Sequence, residues 1–572
     1  MSLFLLVAFS VPFHLAPIGF FLEEITAAAA IVCGGALSWA LMGKDRSVSA
    51  VLPLWCVWGG VILASYLNGN YSLNTAALWA LVYWSIGCLA IVWFSRLQEI
   101  FGRAGTIEVI ASLMVFALVL QAILGVAKFY GLLRFLTIQE LPSSRMPGLL
   151  NQFNVTACFV TIGLVSVIFL SLKERLGLTL QFVLVWMGGV VLFLTDTRTV
   201  WGYFAIIAIA VLIVSFKTSD VFLRRRLIRS SGVACAGIVV AFFSQTPLDH
   251  GLTYLAPENL GRPSIEKADS TRSATDPGIR LTELEKVWEG ALEKPWLGVG
   301  INNYPYFSFR MDSRVADPTR AGTLVTHSHN IFSMILAEQG IIGLGIFLAL
   351  IFWLAVRVFR LTKNAEWFWV ASVLGIFFLF SNVEYPLWYL HYLVLFLGVL
   401  TFALPVFYFR VSSRLLAGAS SVAVLVTFLF LGAGVLRGYY VFATAYMNPN
   451  WDQERIKQIQ AWRSSSFVGP YGDLLVYQYL LPTEGGYEQQ LNQVQRVIEW
   501  RPQGSALSTK VMLLALLERH DEACQFAEKA IPFIPSTATR LQADFPKLEE
   551  GYDVELDPVQ ECVSDIAKAH DE

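Results

Sequence analysis

Residues 154–172 read NVTACFVTIGLVSVIFLSL, and residues 178–195 read LTLQFVLVWMGGVVLFLT, with the basic turn Lys173-Glu174-Arg175 between them. Neither run contains Lys, Arg, Asp or Glu. Each run is long enough to cross the hydrocarbon core of a bilayer as a helix, which satisfies its own backbone hydrogen bonds. This stretch therefore predicts an all-α fold that spans a membrane.

The composition of the whole chain agrees with this stretch. The 572 residues are 56% hydrophobic and 15% charged, with a mean hydropathy of +0.58, whereas water-soluble domains carry roughly a quarter charged residues. The net charge of -2 gives no basic excess, which excludes nucleic acid as a partner. We expect a polytopic protein of about 13 (12–14) transmembrane helices.

Apolar runs of suitable length define the candidate spans. The N-terminal run, Met1 to about Val11, has no basic n-region and no cleavage site, so it indicates a first span or a re-entrant segment and not a signal peptide. The predicted spans are 1–13, 24–42, 48–66, 75–94, 106–130, 154–172, 178–195, 199–216, 231–243, 330–356, 366–383, 391–409 and 415–436.

Lys and Arg in the short loops predict the orientation, because cytoplasmic loops are enriched in basic residues. Alternate loops are all basic, which places them and the N-terminus in the cytoplasm and everything after about residue 436 outside. The basic residues of these loops are Lys44, Arg46, Arg96, Arg103, Lys173, Arg175, Arg224, Arg225, Arg226, Arg229, Arg357, Arg360, Lys363, Arg410 and Arg414. We expect a bacterial inner-membrane protein whose active site faces the periplasm.

The opposite set of loops contains the segments that predict function. Residues 1–436 form the expected transmembrane domain, with a large periplasmic loop at 244–329. Residues 437–572 form an expected periplasmic helical domain, in which 507–535 resemble one tetratricopeptide-type (TPR-like) hairpin or plain helical packing. Cys524 and Cys562 lie in this oxidising compartment, and the sequence leaves open whether they form a disulfide.

Two arginines stand beside apolar runs on the expected periplasmic side. Arg198 follows Asp196 in a short turn, where it could form a surface ion pair, anchor a lipid phosphate or act in a site. Arg145 precedes three amide side chains, and such a cluster can hold phosphate or sugar hydroxyls. Those amides are Asn151, Gln152 and Asn154; capping of the next helix by Asn151 or Asn154 is the alternative.

A second group of candidates lies in and after the long loop. Arg280 begins an amphipathic helix, and could equally lie on a solvated face. His327 and His329 precede the tenth span, where a neutral imidazole can accept a proton from an attacking alcohol; helix capping is the alternative. Asn330 follows them, and Glu338 is an ionisable residue inside the span.

These residues belong to longer motifs. The stretch His329-Asn330-Ile331-Phe332-Ser333-Met334-Ile335-Leu336-Ala337-Glu338-Gln339-Gly340 resembles the hallmark of the O-antigen ligase/polymerase (Wzy_C-like) superfamily. Arg280, Trp288, Pro295 and Gly298-Val299-Gly300 fit the same pattern. The stretch RMPGLLNQFN at 145–154 and the C-terminal extension are similar to bacterial protein O-oligosaccharyltransferases of the PglL/PilO type.

The resemblance implies a function. The expected enzyme is a glycosyltransferase that moves a preassembled oligosaccharide from undecaprenyl diphosphate to Ser/Thr hydroxyls of periplasmic proteins such as pilin. His329 is implied as base or acceptor positioner, and Arg198 and Arg280 as ligands of the diphosphate. Arg145, Asn151, Gln152, Asn154, His327, Asn330 and Glu338 are implied as further substrate-binding residues; no cofactor or metal is implied, and the partners are the lipid-linked donor, the acceptor protein and membrane lipids.

Other functions remain open from the sequence. An O-antigen ligase acting on lipid A core, or an O-antigen polymerase, would use the same residues. A transporter of lipid-linked sugars would favour paired Gly/Pro-interrupted spans in two halves, and the sequence has no such repeat. A scaffold would leave the Arg/His cluster without a role. The transferase interpretation further predicts that Arg198, Arg280 and His329 converge on one pocket.

Overall fold

A computed structural model of the chain describes most of its residues. The described residues are 7–11, 13–14, 18–41, 45–71, 74–133, 145–255, 277–315, 324–410, 414–448, 451–465, 467–552, 554 and 556–571. The first expected span, 1–13, lies largely outside this described part.

Helices dominate the membrane part of the chain. The helices before the long loop are α1 (Phe21–Leu41), α2 (Val51–Leu67), α3 (Asn74–Leu120), α4 (Phe153–Leu172), α5 (Leu178–Thr195), α6 (Thr199–Lys217) and α7 (Val221–Leu255). Those that follow are α8 (Pro277–Ala291), α9 (Tyr304–Asp312), α10 (Ile331–Arg360), α11 (Ala365–Ser381), α12 (Leu390–Ala403) and α13 (Arg414–Met447). Strands β1 (Asp45–Ser49) and β2 (Val406–Arg410) pair antiparallel.

The all-α polytopic prediction is confirmed. Eight helices among the described residues are long and apolar enough to cross a membrane, and shorter apolar helices accompany them. Each predicted span from 24–42 onward coincides with one of the helices named above.

Three predicted boundaries are wrong. The ninth span, 231–243, is part of the longer helix α7, which begins within the basic loop and ends at Leu255. The twelfth span ends at Ala403, because the chain leaves the helix to form β2. The gap predicted between 94 and 106 is only a break at Gly102, whose φ of 69° interrupts α3.

The chain folds into two compact units. The first comprises Met1–Cys56, Ser85–Ser273 and Ala349–Gly432, and the second comprises Val57–Trp84, Ala274–Leu348 and Ala433–Glu572. In the first unit, α4 is buried along almost its entire length, and it packs against α5, α6, α7 and α11. Helix α4 is therefore the central helix of that unit.

The six basic loops are joined to one another within the first unit. Strand pairing joins the first loop to the sixth, and Ser47 donates a backbone hydrogen bond to Glu99 of the second at 3.2 Å. Glu108 bonds Arg175 at 3.0 Å, which joins the second loop to the third. Glu174 bonds Arg226 of the fourth loop, and Lys173 bonds Glu366 beside the fifth. All six loops therefore lie at one end of this unit, as alternating spans require.

The second unit contains the C-terminal helices. They are α14 (Gln453–Arg463), α15 (Gly469–Tyr479), α16 (Tyr487–Ile498), α17 (Gly504–Leu516), α18 (His520–Phe533), α19 (Ser536–Tyr552) and α20 (Asp557–Asp571). Helices α17 and α18 pack as a hairpin, with Ala515, Ala523, Ala527 and Ala530 buried between helices. Small residues at these positions let the helix axes approach closely.

A disulfide joins Cys524 of α18 to Cys562 of α20, with 6.1 Å between the two Cα atoms. The sequence had left this pairing open. The bond fixes the last helix of the chain against the hairpin and its apolar core.

Candidate functional site

The turn between α5 and α6 presents Arg198. Asp196 ends α5 in the left-handed region, with φ 47° and ψ 46°, and α6 begins at Thr199. Arg198 lies within this tight reversal, and its side chain is exposed. The turn thus holds a guanidinium group at the surface of the unit.

Arg145 clamps this turn from the preceding loop. Its Nε donates to the carbonyl of Thr195 at 3.0 Å, and one terminal nitrogen donates to the carbonyl of Asp196 at 3.0 Å. The guanidinium carbon lies 3.4 Å from the centre of the Phe153 ring, a cation–π contact. The structure therefore brings Arg145 to the turn of Arg198 and uses part of its donor capacity to fix that turn.

The loop that carries Arg145 is itself held firmly. The Met146 N–H donates to the carbonyl of Leu194 at 2.9 Å, and Gln121 accepts from the Leu149 N–H at 2.9 Å. Gly148 has a φ of +66°, and a Cβ there would lie 2.7 Å from the Thr156 side chain. Only glycine fits this close turn, which sets the position of the amide cluster.

The three amides of the cluster do different things. Gln152 caps α4 by accepting from the Val155 N–H at 2.6 Å, so the alternative that Asn151 or Asn154 caps the helix is wrong. Asn154 donates to Glu384 at 2.6 Å. Asn151 is exposed, with a φ of 49°. The cluster thus offers Asn151 to solvent, while Gln152 and Asn154 bond to protein groups.

Glu384 is a polar residue that the sequence analysis missed. It lies between α11 and the short 3-10 turn Pro386–Trp388, and its side chain is half-buried. Its bond to Asn154 adds a carboxylate to the cluster. A Glu-Tyr-Pro sequence just past an apolar run, on the side opposite the basic loops, is the signal that could have indicated it.

In the second unit, the start of α10 carries the two histidines. Asn330 caps the helix, since its side-chain oxygen accepts from the N–H groups of Phe332 and Ser333 at 3.0 and 3.1 Å. His329 precedes this cap with a φ of 56°. The rings of His327 and His329 have their centroids 3.9 Å apart. Asn330 therefore performs the capping that was the alternative role of the histidines, and the two imidazole rings lie in contact, with their planes tilted by 55°, beside the helix N-terminus.

Helix α10 is interrupted at Gly340, whose φ is 65° and ψ -165°. The Ile341 N–H donates to the carbonyl of Pro295 at 2.7 Å. On the other side of the break, the carbonyls of Ala337 and Glu338 accept from Val299 and Gly300 at 2.9 and 2.8 Å. The 295–300 segment therefore supplies the hydrogen bonds that the broken helix lacks.

Glu338 lies at this junction and is fully buried. Its side chain accepts from the Asn302 N–H at 2.8 Å. The sequence marked Glu338 as a substrate-binding candidate, whereas this contact binds the long loop to α10. The sequence could not predict this bond, because it joins Glu338 to the backbone of a distant loop residue, Asn302.

Arg280 lies on the exposed side of α8. The opposite side of that helix carries a buried ion network that the sequence analysis also missed. Lys286 bonds Glu283 at 2.7 Å and Asp312 of α9 at 2.6 Å. The Tyr304 hydroxyl donates to Glu283 at 2.9 Å, and burial raises the pKa of this phenol well above its usual value, so it stays a donor. The Glu283–Lys286 pair at i,i+3 spacing was the sequence signal that could have indicated this network. The network fixes α8, the helix that carries Arg280.

The candidate residues thus form two groups. Arg145, Asn151, Gln152, Asn154 and Arg198 belong to the first unit. Arg280, His327, His329, Asn330 and Glu338 belong to the second. Convergence of the two groups on one pocket stays a prediction.

Two ranges of the chain match known protein families. Residues 182–348 match the family described as O-antigen ligase, and this range includes Arg198, Arg280 and His329. Residues 368–546 match the family described as virulence factor membrane-bound polymerase, C-terminal. No curated protein matches the chain. The chain thus contains an O-antigen ligase domain and a membrane-bound polymerase domain among apolar helices, which is consistent with the O-antigen ligase/polymerase superfamily of membrane glycosyl-transferring enzymes.

Proposed function

We propose that this protein transfers a preassembled oligosaccharide from undecaprenyl diphosphate to Ser/Thr hydroxyls of periplasmic proteins such as pilin. The observation that carries the proposal is the start of α10, where His327 and His329 lie in contact beside a capped helix N-terminus within the matched ligase region. An imidazole in this position is a suitable acceptor for the proton of an attacking hydroxyl.

The reaction needs one bond broken and one formed. The acceptor oxygen attacks the anomeric carbon, the bond from that carbon to the diphosphate oxygen breaks, and the diphosphate leaves with the electron pair. The hydroxyl proton passes to His329. A single displacement of this kind inverts the anomeric configuration, so linkage analysis of the product tests it.

Guanidinium groups suit the charge that builds on the leaving diphosphate, because their planar fork matches paired phosphate oxygens. Arg198 is exposed on a turn that Arg145 clamps, and Arg280 is exposed on a helix that the Lys286 network fixes. Such pre-positioned cations stabilise developing negative charge without a cost of reorganisation during the reaction. Asn151 is the exposed amide of the cluster that we assign to the sugar.

Two observations support a periplasmic site. The Cys524–Cys562 disulfide is typical of an oxidising compartment, which favours the periplasm for the C-terminal helices. The six loops that lie together at one end of the first unit are the basic ones, which favours the cytoplasm for that end. The turn of Arg198 belongs to the opposite set of loops.

The C-terminal helices favour the proposal that the acceptor substrate is a protein. Its helices form a compact core that the chemical step does not need, and arrays of helical hairpins commonly bind extended segments of other proteins. We therefore assign recognition of the acceptor protein to residues 437–572, as a domain distinct from the transmembrane ligase domain 1–436.

The test is co-expression with a pilin acceptor and a lipid-linked glycan, followed by intact-protein mass spectrometry. We expect a glycan-sized mass increase with the wild-type chain and none with Arg198→Ala, Arg280→Ala or His329→Ala. The matched controls are Arg175→Ala, on a basic loop, and His250→Ala, at the exposed end of α7; both should retain the mass increase. Full transfer by the three site variants at wild-type expression would refute the assignment.

The second family match favours one other function, since that family is named for a polymerase. A glycan polymerase would use the growing lipid-linked chain as acceptor in place of a protein. It would give a ladder of lipid-linked products with no acceptor protein present, whereas the proposed enzyme would leave the donor at a single length.

A further inference from the structure

Helix α8 has an unusual distribution of side chains. Its buried side carries the polar residues Thr282, Glu283 and Lys286 beside Val287. Its exposed side carries an apolar face: Leu281, Leu284 and Trp288 recur at the spacing of one helix face, and each is at least half exposed. Large apolar side chains therefore face outward on a helix that buries an ionic pair.

The exposed apolar side continues beyond the helix. Leu292 and Trp296 are 78% and 67% exposed, and they extend the row formed by Leu281, Leu284 and Trp288. We call these five residues the α8 stripe. Single exposed apolar residues are ordinary, but a contiguous row marks a surface that contacts an apolar partner.

The end of the α8 stripe is anchored to a membrane span. The carbonyls of Pro295 and Trp296 accept from the N–H groups of Ile341 and Ile342 in α10. The first part of α10, up to Gly340, is mostly buried in protein, whereas Ile341 and Ile342 are exposed. The apolar surface of the stripe is thus continuous with the exposed surface of α10.

The length of α10 indicates where the bilayer begins. From Ile341 the helix is apolar as far as Arg357, which at 1.5 Å per residue is about 24 Å, close to the thickness of a hydrocarbon core. Ile341 therefore marks one membrane interface. Trp296, bonded at that level, and Trp288, in the last turns of α8, are of the residue type enriched at such interfaces.

We propose that α8 is an interfacial helix whose α8 stripe lies in the lipid leaflet at the Ile341 end of α10. The charged residues at its edges suit this position. Arg280 lies on one edge, within reach of lipid phosphates, and Glu285 and Glu289 lie on the other, where they can stay in water. The inference does not depend on the proposed reaction.

The test uses the full-length protein in nanodiscs of phosphatidylethanolamine and phosphatidylglycerol. A small environment-sensitive fluorescent amino acid replaces Leu284 or Trp288, and the matched control places it at Glu289, which is exposed on the same helix but outside the stripe. Two quenchers are compared: acyl chains that carry a nitroxide near the glycerol, and acrylamide in the water.

At positions 284 and 288, we expect the nitroxide lipids to remove about half of the emission and acrylamide to have little effect, as for groups buried 5–10 Å below the surface. Position 289 should show the reverse. Equal acrylamide quenching at all three positions would refute the proposal, because the stripe would then face water. Protection of 284 and 288 from both quenchers would also refute it, because a protein surface would then cover the stripe.

Discussion

Arg145 and Arg198 are close in the fold but are held differently. Arg145 bonds two carbonyls of the turn and stacks on Phe153, whereas the side chain of Arg198 extends from the same turn towards solvent. The sequence analysis proposed both arginines as phosphate ligands. A sequence cannot distinguish an Arg that holds a turn from an Arg that binds phosphate when each stands alone beside a span. The contacts show that Arg145 positions the turn, whereas Arg198 stays the proposed ligand of the donor diphosphate.

Replacement of Arg145 by Lys tests whether the Arg145 side chain holds the turn. A single ammonium on a flexible stem cannot hold both carbonyls, so we expect a loss of about 1.5–3 kcal/mol of stability, measured as a lower melting temperature. The control is Arg225→Lys, at an exposed arginine of a basic loop, which should melt as wild type. The opposite order of the two variants would contradict the clamp.

Asn154 and Glu384 provide a second prediction at this scale. Because they share a hydrogen bond at 2.6 Å, the single variants Asn154→Ala and Glu384→Ala should not have additive effects on stability. A double-mutant cycle on the melting temperature should give a coupling of about 0.5–3 kcal/mol. The pair Asn151 and Glu384 is the control, and a similar coupling there would mean that the bond has no specific role.

At the scale of elements, the junction between the 295–300 segment and α10 determines where Glu338 and the long loop lie. Two glycines with positive φ make this junction possible. A Cβ on Gly298 would lie 2.5 Å from the Ala337 carbonyl oxygen, and one on Gly340 would lie 2.4 Å from the Trp296 carbonyl. The break leaves backbone groups of α10 without helical partners, and backbone groups of the 295–300 segment bond them instead.

Gly340→Ala should therefore destabilise the protein. The left-handed conformation alone costs of order 1–3 kcal/mol for a non-glycine residue, and the clash adds to this. Gly345→Ala, in the same helix with no neighbour within 4 Å, should be neutral or stabilising by about 0.5–1 kcal/mol. Thermal unfolding in detergent measures both, and equal melting temperatures would contradict the junction.

The link between α18 and α20 gives a further prediction. Loss of the disulfide in Cys524→Ala with Cys562→Ala should lower the stability of the C-terminal helices by about 2–4 kcal/mol, since the bond closes a long loop. Maleimide labelling under denaturing conditions should detect two additional thiols in the wild type only after reduction. Labelling of all seven cysteines without reductant would show that the bond is absent from the isolated protein.

At the scale of the molecule, the six basic loops and the C-terminal helices should be on opposite sides of the membrane. Alkaline phosphatase fused after residue 572 should be active, because it folds only outside the cytoplasm. The same enzyme fused after Arg175 should be inactive, and green fluorescent protein should show the reverse pattern. An active phosphatase at Arg175 would invert the proposed orientation and move the site to the cytoplasm.

The sequence by itself determined the fold class, the position of almost every membrane helix and the motif at the start of α10. These properties follow from local apolar length and from residue types at fixed spacing, which act through the backbone and the bilayer. The Cys524–Cys562 bond, the capping role of Gln152, the bond of Glu384 to Asn154 and the Lys286 network depended on the tertiary structure. Each joins residues that are distant along the chain, or selects among neighbours of similar chemistry, and only the packing of helices decides which polar groups meet.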